Sequence, residues 1–171
     1  MVWRICKINP ALILSLLLLP GLYGCGHYSF SGVSTNAQSI TVATFFNNAG
    51  AGPADLAQNL TIQLRDYYQR NSRLAVVNDG GDLYVEGEIT GYSIAPIAPT
   101  GNDQAAQTRL SISVRIRFVN TLNEEENFEE TITQYADFDQ GLSLSDVESS
   151  KVQEILDKII FDIFQRTVAN W

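Results

Sequence analysis

The chain predicts an α+β fold, a two-layer sandwich with two helices packed on one face of a four- to five-stranded, mainly antiparallel sheet. Two patterns carry this expectation. Leu110, Ile112, Val114, Ile116 and Phe118 alternate with Arg109, Ser111, Ser113, Arg115 and Arg117, which is a strand with one buried and one polar face. Val152, Ile155, Leu156, Ile159, Ile160, Ile163, Phe164 and Val168 recur at helical spacing, with Trp171 on the same stripe, and Leu56, Leu60, Leu64 and Tyr67 repeat the pattern earlier in the chain. Two helices with one apolar stripe each need cover. An antiparallel sheet with one apolar face supplies it and leaves its other face polar and open.

The elements follow in order. Ser39–Phe46 is β-branched and aromatic, a strand by composition. Asn47–Gly52 is a loop, and Pro53 suits the first turn of a helix running to Arg70, with Ala57 and Tyr68 beside its apolar stripe. Asn71-Ser72 ends it. Leu74–Val77 is a short strand closed by the turn Asn78-Asp79-Gly80-Gly81. In Leu83–Ile94, Leu83, Val85 and Ile89 share one face, while Tyr84, Glu86, Glu88, Thr90 and Tyr92 take the other. Gly87 and Gly91 fall on the apolar face and mark either a bulge or a close approach. Ala95–Gln107 reads as an extended connection. Asn120–Asn127 is an acidic turn before a partner strand over Phe128–Asp137. The spacing Ser145-Asp146-Val147-Glu148 predicts a capping box at the start of the last helix.

Ahead of this domain stands an export signal. Arg4 and Lys7 precede the apolar run Ala11–Leu19, and Leu22-Tyr23-Gly24-Cys25 has the Leu-x-Gly-Cys arrangement of bacterial lipoprotein signals. The run is too short for a spanning helix, which needs about 20 apolar residues, and Pro20, Gly21, Gly24 and Gly26 interrupt any helix there. The expected organisation is a signal peptide over 1–24, a lipidated tether over 25–38 and one periplasmic α+β domain over 39–171. Cys25 is the lipidation site. Each buried acyl CH₂ contributes about 0.8 kcal/mol, so several chains anchor stably. Gly26, rather than Asp, follows the lipid site, which points to the outer membrane. Cys6 leaves with the signal and Cys25 is taken by lipid, so no disulfide is expected in the mature domain.

Charge narrows the partners. The formal net charge is −8, and losing Arg4 and Lys7 makes it two units more negative. Such a chain is no general nucleic-acid binder, and its attachment to a membrane rests on lipid rather than on attraction to anionic headgroups. The tether includes Tyr28 and Phe30, which together with Tyr84, Tyr92 and Tyr135 form a set of outward aromatics suited to a partner surface.

Catalysis finds little support, so the chain is not expected to be an enzyme and no cofactor or metal is expected. The single histidine, His27, lies in the tether, and no Cys/His cluster, phosphate loop or Gly-x-Ser-x-Gly elbow is present. Glu86 and Glu88 read as solvated charge on a strand face. Glu124-Glu125-Glu126 with Glu129-Glu130 reads as a solvated hairpin tip without the pattern of a calcium loop.

Arg109, Arg115 and Arg117 project from one face of one strand, a concentration in a chain with eleven Lys and Arg. Two readings stand. One is cross-strand pairing with Glu86, Glu88 and Glu129, at about 0.2–1 kcal/mol per pair. The other is an anion site, since guanidinium grips phosphate bidentately.

A further set of residues carries a family likeness. It comprises Gly24-Cys25-Gly26-His27-Tyr28-Ser29-Phe30-Ser31-Gly32, Ile40-Thr41-Val42, Phe46-Asn47-Asn48-Ala49, Asp82-Leu83, Gly87–Tyr92, Tyr135-Ala136-Asp137-Phe138 and the terminal Ala169-Asn170-Trp171. In these the chain resembles the LptE-type lipopolysaccharide-assembly lipoproteins over essentially its whole mature length. The resemblance implies a non-enzymatic outer-membrane lipoprotein facing the periplasm, with two helices on a four-stranded sheet. It would plug the lumen of an LptD-type β-barrel, assist the barrel's assembly, and with it insert lipopolysaccharide into the outer leaflet. The family contacts lipopolysaccharide through basic residues. Arg109, Arg115 and Arg117 are candidates for lipopolysaccharide or partner contact from their position and charge, not residues carried over from the family. The strong acidity favours the plug role. The alternative is a lipoprotein activator of a periplasmic cell-wall synthase; the short tether, a reach of roughly 40 Å at full stretch, argues instead for a partner in or against the membrane.

Overall fold

The computed structural model of the chain describes residues 36–97 and 106–168. The signal segment, Cys25, Tyr28, Phe30 and Trp171 lie outside the described residues, as does the middle of the connection after Ile97. The elements are β1 (Ser39–Val42), β2 (Phe46–Asn47), α1 (Leu56–Asn71), β3 (Ala75–Val77), β4 (Leu83–Ile97), β5 (Gln107–Asn120), a 3₁₀ turn (Glu124–Glu126), β6 (Phe128–Asp139) and α2 (Leu144–Thr167). They form an α+β fold with two helices on one sheet. The sheet is larger than expected and mixed rather than mainly antiparallel. It has six strands in the order β3-β1-β4-β5-β6, with β2 also on β4. β4, β5 and β6 are antiparallel, whereas β1 runs parallel to both β3 and β4, and β2 parallel to β4.

The parallel part has a physical cause. A strand–helix–strand connection returns the chain to the same end of the sheet, so β1 and β3 run alike. The Asn78–Asp82 turn then carries the chain from β3 across β1 to β4, instead of folding a hairpin. Gly81 makes this crossing possible: a Cβ there would stand 2.7 Å from the Thr41 amide nitrogen and 2.9 Å from the Ile40 carbonyl carbon. Its amide donates to Thr41 Oγ1 at 3.1 Å.

Two irregularities change which face a side chain takes. The expected strand Ser39–Phe46 breaks at Ala43–Phe45. Three residues lie between Val42 and Phe46, while only two lie between their partners Val85 and Glu88. The extra residue shifts the alternation, so Ile40, Val42 and Phe45 are buried and Phe46 is turned out at 65 % exposure. Helix α1 fills the gap in the ladder. Phe45 N–H donates to Thr61 Oγ1 at 3.0 Å, and the Arg65 guanidinium donates twice to the Val42 carbonyl at 3.0 and 2.7 Å.

The second irregularity is a bulge at Thr90, between the pairs Ile89↔Val114 and Gly91↔Ser113. Tyr92, expected on the polar face with Tyr84, Glu86, Glu88 and Thr90, therefore turns to the helix face opposite Ile112. Its hydroxyl donates to Glu148 Oε1 at 2.5 Å. This contact also displaces the expected capping box. α2 begins one residue before Ser145, and Glu148 is spent on Tyr92 rather than on the helix N-terminus. The α1 start is likewise three residues inside the expected one, at Leu56 instead of Pro53.

One core lies between the layers. From the sheet come Ile40, Leu83, Val85, Ile89 and the row Leu110–Phe118; from the helices come Leu56, Leu60, Leu64, Ile155, Leu156, Ile159 and Ile163. Each such side chain contributes about 1.5–3 kcal/mol on burial. The residues expected on the α2 stripe are buried from Val152 to Phe164, with Val168 half-buried against them. Helix α2 also closes the β6 edge, at intervals of four residues. Lys158 Nζ donates to the Tyr135 carbonyl at 2.9 Å, Gln134 donates to Asp162 at 2.6 Å, and Arg166 pairs with Glu130. A side chain on an edge carbonyl blocks the addition of another strand.

Asp82 fixes the point where the chain enters the sheet. One carboxylate oxygen accepts from the Gln38 and Ser39 amides at 2.8 and 3.0 Å and from Ser39 Oγ at 2.9 Å. These bonds, the Gln38 amide foremost, hold its carboxyl below the ordinary aspartate range. A lowered native pKa stabilises fully above the unfolded value of about 3.9 and is lost as pH falls through the native one. Asp82→Ala is therefore expected to speed amide exchange at Gln38 and Ser39 near neutral pH. The parent should show the same loosening only below about pH 4, which hydrogen exchange read at these two amides checks.

Candidate functional site on the open sheet face

The helices cover one face of the sheet and leave the other open. On that face the three long strands present parallel rows: Tyr84, Glu86 and Glu88 from β4; Arg109, Ser111, Ser113, Arg115 and Arg117 from β5; Glu129, Thr131, Thr133, Tyr135 and Asp137 from β6. The register is what alternation dictates. Glu86 lies opposite Arg117 and Glu88 opposite Arg115, while Arg117 and Arg109 lie opposite Glu129 and Asp137 on their other side.

The three sequence-predicted arginines share this face but not one environment. Arg109 is the most engaged. Its Nε and Nη2 donate to the two oxygens of Asp137 at 2.8 and 2.9 Å, and its guanidinium carbon lies 3.6 Å from the Tyr135 ring centroid. The hydrogen bonds from Arg109 hold the Asp137 carboxyl below its usual range, and Asp137 raises the Arg109 pKa in return. Arg115 and Arg117 are looser. Each uses Nη1 on one glutamate, Glu88 at 3.1 Å and Glu86 at 2.8 Å, and their side chains stay 50 % and 59 % exposed. Such surface pairs contribute about 0–1 kcal/mol. Cross-strand pairing with Glu86 and Glu88 is thus present. Glu129, expected as a third partner, sits opposite Arg117 without an ion pair to it among the described residues.

Arg115 and Arg117 line a groove of about 490 Å³ on the open face. Phe46 and Tyr84 wall it, and Glu86, Glu88 and Glu129 supply its carboxylates. Partial burial, and then the Glu86 carboxylate, push the Tyr84 phenol above its ordinary range, so it stays a hydroxyl donor to Glu86. Past Ser113 and Thr133, whose hydroxyls bond at 2.8 Å, the face ends in the Arg109–Asp137–Tyr135 cluster. Of the five expected outward aromatics, Tyr84 and Tyr135 are on this face, Tyr92 is not, and Tyr28 and Phe30 lie outside the described residues.

Sequence reasoning missed two participants. Phe46 reads only as the end of a strand over Ser39–Phe46, and the break at Ala43–Phe45 turns it out. Asp137 reads as an ordinary strand residue until the β5–β6 register is known. The acidic turn is also more ordered than a solvated tip. Asn120 Nδ2 and Asn123 Nδ2 donate to Glu126 at 2.7 and 2.9 Å, and Asn127 Oδ1 accepts the Asn120 amide at 2.7 Å.

A family model described as LptE, lipopolysaccharide-assembly, matches residues 37–167. No curated protein matches the chain in sequence. Among solved structures, a minor lipoprotein of Acinetobacter baumannii is similar at a TM-score of 0.52 and 16 % identity, over 78 % of this chain and 94 % of that one. A hypothetical protein of Chlamydia trachomatis gives 0.52 at 12 % identity, over 77 % and 98 %. A protein of Xanthomonas campestris gives 0.55 at 10 %, over 77 % and 84 %. At these identities the likeness concerns the fold.

Proposed function

Since the chain belongs to the LptE lipopolysaccharide-assembly family, we propose that it is a non-enzymatic, lipid-anchored lipoprotein on the periplasmic side of the outer membrane, plugging and helping to assemble an LptD-type β-barrel that inserts lipopolysaccharide. The observation that carries this reading is the family match across 37–167, nearly the whole domain. The architecture supports it. A sheet placed among the strands of a barrel must not add to them, and here Lys158 of α2 occupies the Tyr135 carbonyl on the β6 edge. The open face offers mixed charge and exposed aromatics instead. Acyl chains on Cys25 supply the location, and the domain supplies the fit.

Arg115 and Arg117 are the arginines with capacity left for lipopolysaccharide or for the partner; Arg109 holds the sheet face together. Affinity capture of the membrane-extracted full chain is expected to recover a large β-barrel protein. Recovery of no barrel overturns the plug. In the same preparation, Arg115→Gln with Arg117→Gln is expected to weaken lipopolysaccharide binding more at low salt than at high salt if phosphates are met. Unchanged binding with a lower melting temperature assigns both arginines to cross-strand pairing alone.

A further inference from the structure

We infer that the groove on the open sheet face receives a basic protein segment, one that sets a Lys or Arg against Glu129 and an apolar side chain against Phe46. The inference builds on the plug reading only in naming the partner as the barrel; the chemistry of the groove stands without it.

Charge selects the occupant. Three carboxylates and two guanidiniums line the groove, and both guanidiniums are already held by Glu86 and Glu88. Glu129 is the carboxylate left over. It is exposed, and no ion pair or hydrogen bond engages its side chain among the described residues. A polyanionic ligand would meet the spare donors of the two guanidiniums only beside three carboxylates, in a chain of net charge −8. A cation meets Glu129 without displacing anything. Phe46, at 65 % exposure, is the apolar contact.

Spacing adds a constraint. Phe46 is level with Thr131, three strand steps or about 14 Å across the sheet, and Glu129 lies two residues further along β6, so the two positions are roughly 16 Å apart. An extended segment covers this in about four to five residues. The occupant therefore crosses the strands with its basic and apolar side chains about four to five residues apart. Strand addition is not the mode, because the segment crosses the open face rather than extending an edge.

The test places a photoreactive phenylalanine analogue at position 46 of the full chain, crosslinks in intact cells, and sequences the crosslinked peptide. The expected product is a protein peptide with a Lys or Arg about four to five residues from the crosslink. Glu129→Gln is expected to lower its yield with an unchanged melting temperature, and Glu129→Arg, which sets a second guanidinium opposite Arg117, to cut it about fivefold, the equivalent of about 1 kcal/mol, with a small loss of melting temperature. Crosslinks to lipopolysaccharide alone, a peptide without a basic residue, no crosslink, or a yield indifferent to Glu129→Arg each overturn the inference. If affinity capture recovers a barrel while the crosslink fails, the plug reading survives alone. A basic peptide from a protein that is not a barrel leaves the chemistry of the groove standing, and affinity capture alone then decides the plug.

Discussion

Replacing Gly87 with Ala is expected to cost about 3 kcal/mol, the upper end of the range for overpacking. A Cβ at Gly87 would stand 2.5 Å from the Arg115 carbonyl oxygen and 2.6 Å from Phe45 Cε1. Neither neighbour gives way easily. The carbonyl belongs to the strand that pairs with Gly87 through Ile116, and Phe45 is 2 % exposed in the core. Phe45→Leu in the same chain should restore only part of the loss, since it relieves the ring contact but not the carbonyl contact. Gly50→Ala is the control. Nothing lies within 4 Å of a Cβ there, but its φ is +68°, so only backbone strain of about 1–2 kcal/mol applies. Urea midpoints of the three variants against the parent decide. A Gly87→Ala midpoint no lower than that of Gly50→Ala would mean that Phe45 does not pack on β4 as described.

Gly87 also shows how far the sequence is legible. Its place on the apolar face follows from counting residues from Leu83, and its reason follows once Phe45 is known to turn inward. The strands over Leu110–Phe118 and Phe128–Asp137, the last helix and the polar open face are all readable because each rests on a long, unbroken period. The losses fall where one residue is inserted. The extra residue before Phe46 and the bulge at Thr90 each invert the alternation downstream. Nothing in Ala43-Thr44-Phe45 marks the first, since any of the three could sit in the pleat. Gly91 hints at the second but does not say on which side the phase changes. The mixed sheet was hidden for another reason. Asn78–Gly81 has hairpin chemistry, and only the position of β1 between β3 and β4 makes it a crossing.

The site was half legible on the same terms. Alternation alone puts Arg109, Arg115 and Arg117 on one face and brings Glu86 and Glu88 to their side. It cannot rank the three, because the rank depends on β6. Asp137 and Tyr135, both on β6, close on Arg109, while the residue opposite Arg115 is Thr131. The strand that satisfies one arginine thus leaves another with spare donors, and a single sequence does not display that register.

Thr167→Val is expected to cost about 1–3 kcal/mol, and Tyr68→Phe distinctly less. The two hydroxyls meet at 2.6 Å between the helices, with Tyr68 fully buried. Their alternatives differ. Thr167 Oγ1 also bonds the Ile163 carbonyl at 2.8 Å within its own helix, so removing the tyrosine hydroxyl leaves it satisfied. For the Tyr68 hydroxyl, Thr167 is the hydrogen-bond partner, so Thr167→Val strands a phenol in a core that already pushes its pKa well above the ordinary value. Nor can ionisation relieve it, because burial disfavours the phenolate more strongly than the phenol. The double variant Tyr68→Phe/Thr167→Val should then be more stable than Thr167→Val alone, since removing the second hydroxyl removes the stranded group. A double-mutant cycle from urea denaturation reads this directly. Additive costs, or a double variant less stable than Thr167→Val, would place the Tyr68 hydroxyl within reach of water and would separate the two helices at their C-terminal ends.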